Sequence, residues 1–369
     1  MPEKIIIFIP SIEDGGVEKN LFIISNYLSK KNKNTCLITC SNDKINKINQ
    51  KNLQIIKPKF ISFEKSSRGI KYFVSLYLLI KILIKEKKTL ILSFQANLYC
   101  SILCKLFGRK IVIRSNSSSY GWEGGYLKKR LFKLLFSLPD KIIVNSEDLK
   151  KEYKKKFGID PICIFNPLDK KILNQKSNLK TKNHFGLQKK ILKIINIGRL
   201  VDQKNQIEFL EGLNKIKDSV KFKALILGKG NLKLQYLNFI KNNNLTDLVK
   251  IIDFQKNPYN ILKQADLLIL TSKYEGMPNV ILEALTLKVD VISSNCPTGP
   301  RELINKRWLY KVGNTDQLSK RIMDYYKNYF IKKKFTKKIS NNERVLKKFD
   351  FYENLRKYDK VIKEFLHKN

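Results

Sequence analysis

Histidine is nearly absent from this chain of 369 residues, which holds only His184 and His367. Both stand far from the two equally spaced cysteine pairs, Cys36/Cys40 and Cys100/Cys104, which argues against a zinc site and for simple burial of the thiols. The six cysteines show no disulfide-framework spacing, and most fall in apolar segments, as expected in a reducing cytoplasm. No secretory leader is visible, because residues 5–9 form only a short apolar strand. The longest apolar run, residues 72–84, is broken by Lys81 and is too short to span a bilayer. Neither a G-x-G-x-x-G fingerprint nor a D-x-D metal dyad in a suitable loop occurs, and no internal repeat or zipper-length heptad is evident. Acidic residues are scarce too. Against 73 Lys and Arg stand 32 Asp and Glu, a net charge of +41. That excess suits an anionic partner, whether nucleic acid, a membrane surface or a phosphorylated substrate, although abundant Lys, Ile and Asn would also follow from coding bias.

What is present is alternation. Short apolar runs expected as strands (residues 4–10, 35–40, 54–57, 89–93, 110–114 and 141–144) are separated by helical patterns, among them a long amphipathic one over residues 69–87. Such alternation predicts an α/β protein with parallel, helix-covered sheets, and the length allows two domains. Gly15-Gly16 after the first strand permits close approach of a ligand to backbone. Asn116 sits in a polar loop at a strand's carboxyl end, where open α/β sheets bind ligands. Residues 123–136 combine Lys128, Lys129, Arg130 and Lys133 with apolar neighbours such as Phe132 and Phe136. The segment is thus a basic amphipathic helix, able to lie in a membrane interface or to pack on a sheet.

In the second half, residues 265–270 read as a buried strand, Gly276 as a tight turn and Pro278 as the first helical residue. The helix would point its free N–H groups towards the strand's carboxyl end, a natural anion site. Glu275 and Glu283 flank it, with seven residues between them. Further candidates follow strands: Arg199 and Lys204 after Gly198, with a fork and a point charge suited to a diphosphate; Gly228 in a close-approach turn; Phe254; and Thr298-Gly299 in the loop containing Cys296.

The stretch Glu275-Gly276-Met277-Pro278-Asn279 through Glu283 resembles the E-x7-E motif of glycosyltransferase family 4, the retaining GT-B enzymes. The Gly198-Arg199-Leu200 to Lys204 segment, the Gly15-Gly16-Val17-Glu18 loop and the Asn166-Pro167 pair are similar to family landmarks in the same order. This resemblance implies two Rossmann-like domains facing each other across a cleft. The expected divisions are an acceptor-side domain over 1–168, a linker over 169–190, a nucleotide-sugar domain over 191–345, and a C-terminal helix over 346–369 returning to the first domain.

It further implies that Arg199 and Lys204 bind the donor diphosphate, Glu283 the ribose and Glu275 the donor sugar, with Glu275, Arg199 and Lys204 as the catalytic set. Gly16, Gly198, Gly228, Phe254, Gly276, Met277, Pro278, Asn279, Thr298 and Gly299 would complete the donor site. Gly15, Glu18 and Asn116 would contact acceptor or sugar; Asn116 stands where many members carry histidine. Another departure is Leu287-Lys288-Val289, where glycine and proline are commoner, so a local change of turn is expected. The reading is a metal-independent transferase without a cofactor, moving a sugar from a nucleotide-sugar donor, UDP-linked by expectation, to a surface glycan that could be lipid-linked. It would sit in the cytoplasm, peripherally on the inner face of the plasma membrane, with no nucleic acid as partner. Replacing Arg199 or Lys204 by alanine is expected to depress turnover far more than stability. Two other readings stand beside it: a sugar-nucleotide epimerase of the same architecture, and a basic nucleic-acid binder.

Overall fold

A computed structural model describes residues 4–12, 15–41, 52–59, 63, 66–116, 118, 126–186, 190–331 and 343–366, without the side chains of 126–129 and 329–331. The chain divides into two units, one formed by Met1–Pro167 with Phe351–Asn369, the other by Leu168–Asp350.

Unit 1 runs β1 (Lys4–Phe8), α1 (Gly16–Lys31), β2 (Thr35–Ile38), β3 (Gln54–Ile56), α2 (Arg68–Lys85), β4 (Thr89–Ser93), α3 (Asn97–Leu106), β5 (Lys110–Ser115), α4 (Tyr126–Phe136), β6 (Lys141–Val144), α5 (Glu147–Phe157) and β7 (Ile162–Cys163). Its sheet has the order β3-β2-β1-β4-β5-β6-β7, and every pairing is parallel. The central strands are apolar on both faces because both faces are covered. Ile5 and Ile7 point to one side, with α1 and the C-terminal helix Phe351–Leu366. Ile6 and Phe8 point to the other, towards α2, α3, α4 and α5. Ser146 accepts a hydrogen bond from Leu149 N at 3.1 Å and so caps α5.

Unit 2 continues with α6 (Lys170–Ser177), β8 (Leu192–Ile197), a 3-10 turn (Asp202–Lys204), α7 (Gln206–Asn214), β9 (Phe222–Leu227), α8 (Lys233–Asn242) and β10 (Val249–Ile252). Then come α9 (Tyr259–Leu262), β11 (Leu267–Leu270), α10 (Asn279–Thr286), β12 (Asp290–Ser294), α11 (Pro300–Leu303), β13 (Leu309–Tyr310), α12 (Thr315–Tyr325) and α13 (Glu343–Lys347). Its sheet is again parallel, ordered β10-β9-β8-β11-β12-β13. The chain then re-enters unit 1 as α14 (Phe351–Leu366).

The stretch 169–190, expected as a linker, carries α6, capped by Asp169 through Ile172 N at 2.9 Å. Asn257 and Asn260 donate to the carbonyls of Lys176 and Leu179, and His184 N donates to Gln264, so the stretch is tied to unit 2. Its polar composition reflects a surface element held by hydrogen bonds. Lys288 adopts φ +60°, a left-handed turn formed without glycine.

On α14, Asn354, Leu355, Tyr358, Val361 and Ile362 are buried at helical spacing. Tyr358 meets the fully buried Arg114 of β5: Arg114 Nε donates to Tyr358 Oη at 2.6 Å and Nη2 donates to Asn166 Oδ1 at 2.6 Å. The guanidinium also lies 5.5 Å from the centroid of the Phe94 ring. Strand, domain end and C-terminal helix thus share one buried cation.

Candidate active site

In open parallel sheets a crevice forms beyond the carboxyl ends of the strands where the strand order reverses. In unit 2 the reversal lies between β8 and β11. Because all six strands are parallel, the loops after β10, β9, β8, β11 and β12 succeed one another along a single edge. Those loops hold, in that order, Phe254, Gly228, Gly198 with Arg199 and Lys204, Glu275–Asn279, and Thr298-Gly299. The candidate donor residues, scattered over about a hundred positions of chain, are assembled by topology.

Two of these loops are joined by charge. Lys204 Nζ forms an ion pair with the Glu275 carboxylate, whose side chain is only 8% exposed. Ser272 Oγ donates to the same carboxylate at 2.6 Å, and Thr298 Oγ1 donates to the Glu275 carbonyl. Lys204 itself is held by its backbone, since Thr271 Oγ1 donates to its carbonyl at 2.9 Å. Gln203 Nε2 donates to the Tyr274 carbonyl at 3.0 Å, and Lys273 N donates back to Gln203 O at 2.9 Å. Arg199 is exposed on the neighbouring turn, and its carbonyl accepts from Gln206 Nε2 at 3.0 Å. The result is a pair of loops joined by hydrogen bonds and an ion pair, presenting one partly covered ammonium and one exposed residue, Arg199.

Backbone contacts close the rest of the edge. A Cβ on Gly228 would fall 1.8 Å from the Gly198 carbonyl oxygen, so the approaching group at this turn is a neighbouring strand end. Gly299 has φ +91°, and a Cβ there would lie 2.3 Å from the Gly276 carbonyl oxygen. This contact locks the Thr298-Gly299 loop against Gly276. Pro278 is the residue before α10, one position earlier than expected, and the helix starts at Asn279. Met277 is buried, and Glu283, in the second turn of α10, is 8% exposed. Phe254 remains 37% exposed, with Lys229 Nζ 5.2 Å from its ring centroid. Cys296 is fully buried, and burial, with the Glu275 charge added, pushes its thiol up to about 12. Burial and the raised pKa both disfavour the thiolate, the reactive form of a cysteine.

Sequence reading missed the polar support beneath these loops. Asn205, which follows Lys204, takes a left-handed φ of 50°, and its side chain donates to the Glu208 carboxylate. Glu208 is 2% exposed and also accepts from Gly313 N at 3.0 Å. Burial, together with nearby Glu211, raises its pKa to about 7 against the pull of those hydrogen bonds. Asn196 Nδ2 donates to the Ile269 carbonyl at 2.9 Å and so ties β8 to β11 at the reversal. A carboxylate one turn after a lysine would have been the available signal, but it reads equally well as a solvated helix face.

Unit 1 has its own reversal, between β1 and β4. Gly15 and Gly16 begin α1 there, and Glu18 Oε2 accepts from Gly15 N at 2.9 Å, which closes a capping arrangement. Glu18 is 5% exposed, so at least one carboxylate oxygen serves the backbone of the loop. Ser11 N donates to Gln95 Oε1 at 3.2 Å, joining the loops after β1 and β4. Asn116 lies just beyond β5, where its Nδ2 donates to the Arg114 carbonyl at 3.3 Å. Residues 117 and 119–125 lie outside the described residues, as do the side chains of Lys128 and Lys129. Phe136, one of the residues considered for membrane insertion, is buried, with its ring centroid 5.2 Å from Tyr153 and 4.9 Å from Phe157. It belongs to the core.

Among the described residues, no group of three or more His, Cys, Asp and Glu is placed to hold a metal ion.

Comparison with known proteins agrees with this architecture. Residues 14–170 match the family model Glycosyltransferase Family 4, and residues 177–345 match Glycosyl transferases group 1. An uncharacterized glycosyltransferase of Methanocaldococcus jannaschii is 31% identical over 278 residues, 68% of either chain. The N-acetylgalactosamine-N,N'-diacetylbacillosaminyl-diphospho-undecaprenol 4-alpha-N-acetylgalactosaminyltransferase of Campylobacter jejuni is 27% identical over 217 residues, 56% of this chain and 57% of that one. Among solved structures, Anabaena HepE in complex with UDP-glucose superposes with a TM-score of 0.76 at 15% identity, covering 98% of this chain and all of the other. Fold and sequence together define a GT-B glycosyltransferase. The chain belongs to glycosyltransferase family 4, group 1 type.

Proposed function

We propose that the protein is a retaining, metal-independent transferase that moves a hexose or N-acetylhexosamine from a UDP-linked donor to a lipid-linked glycan in surface-polysaccharide assembly. The observation that carries this reading is the shared edge of the unit 2 sheet, where Arg199, the start of α10 and Lys204, paired with Glu275, follow neighbouring parallel strands. Departure of a nucleoside diphosphate develops negative charge on the leaving oxygen. Fixed cations and helix N–H groups stabilise that charge without reorganising, which lowers the barrier. Arg199 and Lys204 would bind the diphosphate, Glu283 would accept from the ribose hydroxyls, and Phe254 would lie beside the base. Glu275 would orient Lys204 and receive hydroxyls of the donor sugar, a positioning role and not that of a covalent nucleophile. Gly15, Glu18 and Asn116 in unit 1 would serve the acceptor or the sugar.

The lipid-linked acceptor draws support from the name of the C. jejuni relative, which specifies a diphospho-undecaprenol glycan, and the UDP donor from the HepE complex. The reading places the enzyme on the inner face of the plasma membrane as a peripheral protein. A thermal-shift screen of nucleotide sugars tests it. At a hundredfold excess over Kd, a ligand stabilises by about 2.7 kcal/mol, or roughly 5–10 °C for a unit of this size. UDP-sugars should give that shift, and Glu283→Gln should reduce it. No shift with any nucleotide sugar in folded protein would refute the reading.

A further inference from the structure

We infer that the outer face of α2 and α3 is a docking surface for an anionic lipid bilayer. The inference deepens the peripheral-membrane reading above and rests on it. The inward face of α2 is settled: Ser75, Leu79 and Leu83 recur every four residues and are fully buried against the sheet. The opposite face of such a helix is ordinarily polar. Here it carries Phe73 at 76% exposure, Tyr77 at 51% and Ile84 at 63%, on one stripe. Neighbouring α3 adds Tyr99 at 60% and Leu106 at 76%. Between the helices lies an apolar groove of about 300 Å³ lined by Phe73, Leu76, Tyr77, Ile80, Tyr99 and Ile102. Single exposed apolar residues are commonplace, but a contiguous stripe with its own groove marks an interaction surface.

Charge selects the occupant. Helices α2, α3 and α4 contain no aspartate or glutamate at all, whereas α1, α5 and α14 each carry acidic residues. Lys81 and Lys85 flank the apolar stripe on α2, and Arg130 and Lys133 stand on α4, which adjoins α3. Among the described residues, Glu86, just beyond α2, is paired with Lys4, and Asp140 with Lys105 and Lys110. An apolar stripe with aromatic members and a rim of one sign suits a headgroup boundary of anionic lipid, into which rings enter while lysines stay at phosphate level. Lys81 Nζ lies 4.5 Å from the Tyr77 ring centroid, an ammonium poised at the edge of such a surface. Among the described residues no helix is long and apolar enough to cross a membrane, so attachment through this face is interfacial.

The test is sedimentation of the full-length protein with phosphatidylcholine vesicles, with and without phosphatidylglycerol. Wild type should bind the phosphatidylglycerol vesicles and lose binding as salt rises. A Phe73→Ser/Tyr77→Ser/Leu106→Gln variant, with wild-type circular dichroism, should bind at least tenfold more weakly. Phe73→Trp should be quenched by brominated lipid, while Tyr352→Trp, on α14 across the sheet, should not. Unchanged binding of the triple variant, no quenching at position 73, or equal binding to neutral vesicles would each overturn the assignment. So would a concentration-dependent dimer that the triple variant abolishes without any vesicle binding, because the groove would then serve a second copy. UDP titration of the same samples separates the two claims: UDP binding without vesicle binding removes the docking surface and leaves the transferase reading intact. Failure of UDP binding in folded protein removes the reading itself.

Discussion

Lys204→Ala is the perturbation on which sequence and structure part company. By sequence alone the residue is a surface cation awaiting a diphosphate, and its loss should spare the fold. In the structure it is the ionic partner of a Glu275 side chain only 8% exposed, with Lys204 itself 18% exposed. Removing the cation leaves a buried carboxylate with the Ser272 hydroxyl as its remaining described side-chain donor. Breaking a buried pair from one side costs roughly 3–5 kcal/mol, and the residual exposure of Lys204 places the expected cost near the lower limit, about 3 kcal/mol. For a unit of this size that corresponds to a fall of roughly 6–12 °C in the unit 2 transition. Calorimetry of Lys204→Ala, Glu275→Gln and the double variant measures it. The double variant should recover much of the loss, because an amide no longer needs the cation, giving a coupling well above 1 kcal/mol. Additive single losses, or a Lys204→Ala transition at the wild-type temperature, would refute the pairing.

Tyr358→Phe should lower stability by about 1.5–3 kcal/mol in chemical denaturation, because the buried Arg114 loses the acceptor for its Nε–H. An unchanged midpoint would show that the bond contributes nothing. The buried Glu208 has a folded pKa near 7, above its ordinary value of 4.5, so the folded state holds a proton that the unfolded state has released. Its contribution to stability is therefore full below about pH 4.5 and is lost as pH rises through 7. Glu208→Gln should flatten that slope between these limits, and an identical pH–stability profile would exclude the shift.

Both domains were legible as alternation, since strands covered on two sides must be apolar and helices must repeat at their own period. That the candidate residues would fall at one edge was legible as well, because the glycines, the two glutamates and the cations come just after parallel strands. What escaped was pairing over distance. Lys204 and Glu275 are 71 residues apart, Arg114 and Tyr358 are 244 apart, and no local pattern marks either pair. Gly228 looked like an opening for a ligand because a glycine records that something comes close, and the Gly198 carbonyl is what does. The polar stretch over 169–190 looked like a tether because side-chain hydrogen bonds to α9 and its surroundings leave no apolar trace. On α4, a stripe of alternating lysines and apolar residues could not reveal that Phe136 turns into the core while Leu131 and Leu134 face outward.

The central claim, sugar transfer from a UDP-linked donor, is met most directly by incubating the enzyme with labelled UDP-sugars and a synthetic polyprenyl-diphosphate glycan. Label should appear in the organic-extractable product with an anomeric configuration matching that of the donor, and Arg199→Ala should lose transfer. Conversion of the donor sugar without any need for the acceptor, or an inverted linkage in the product, would contradict the central claim.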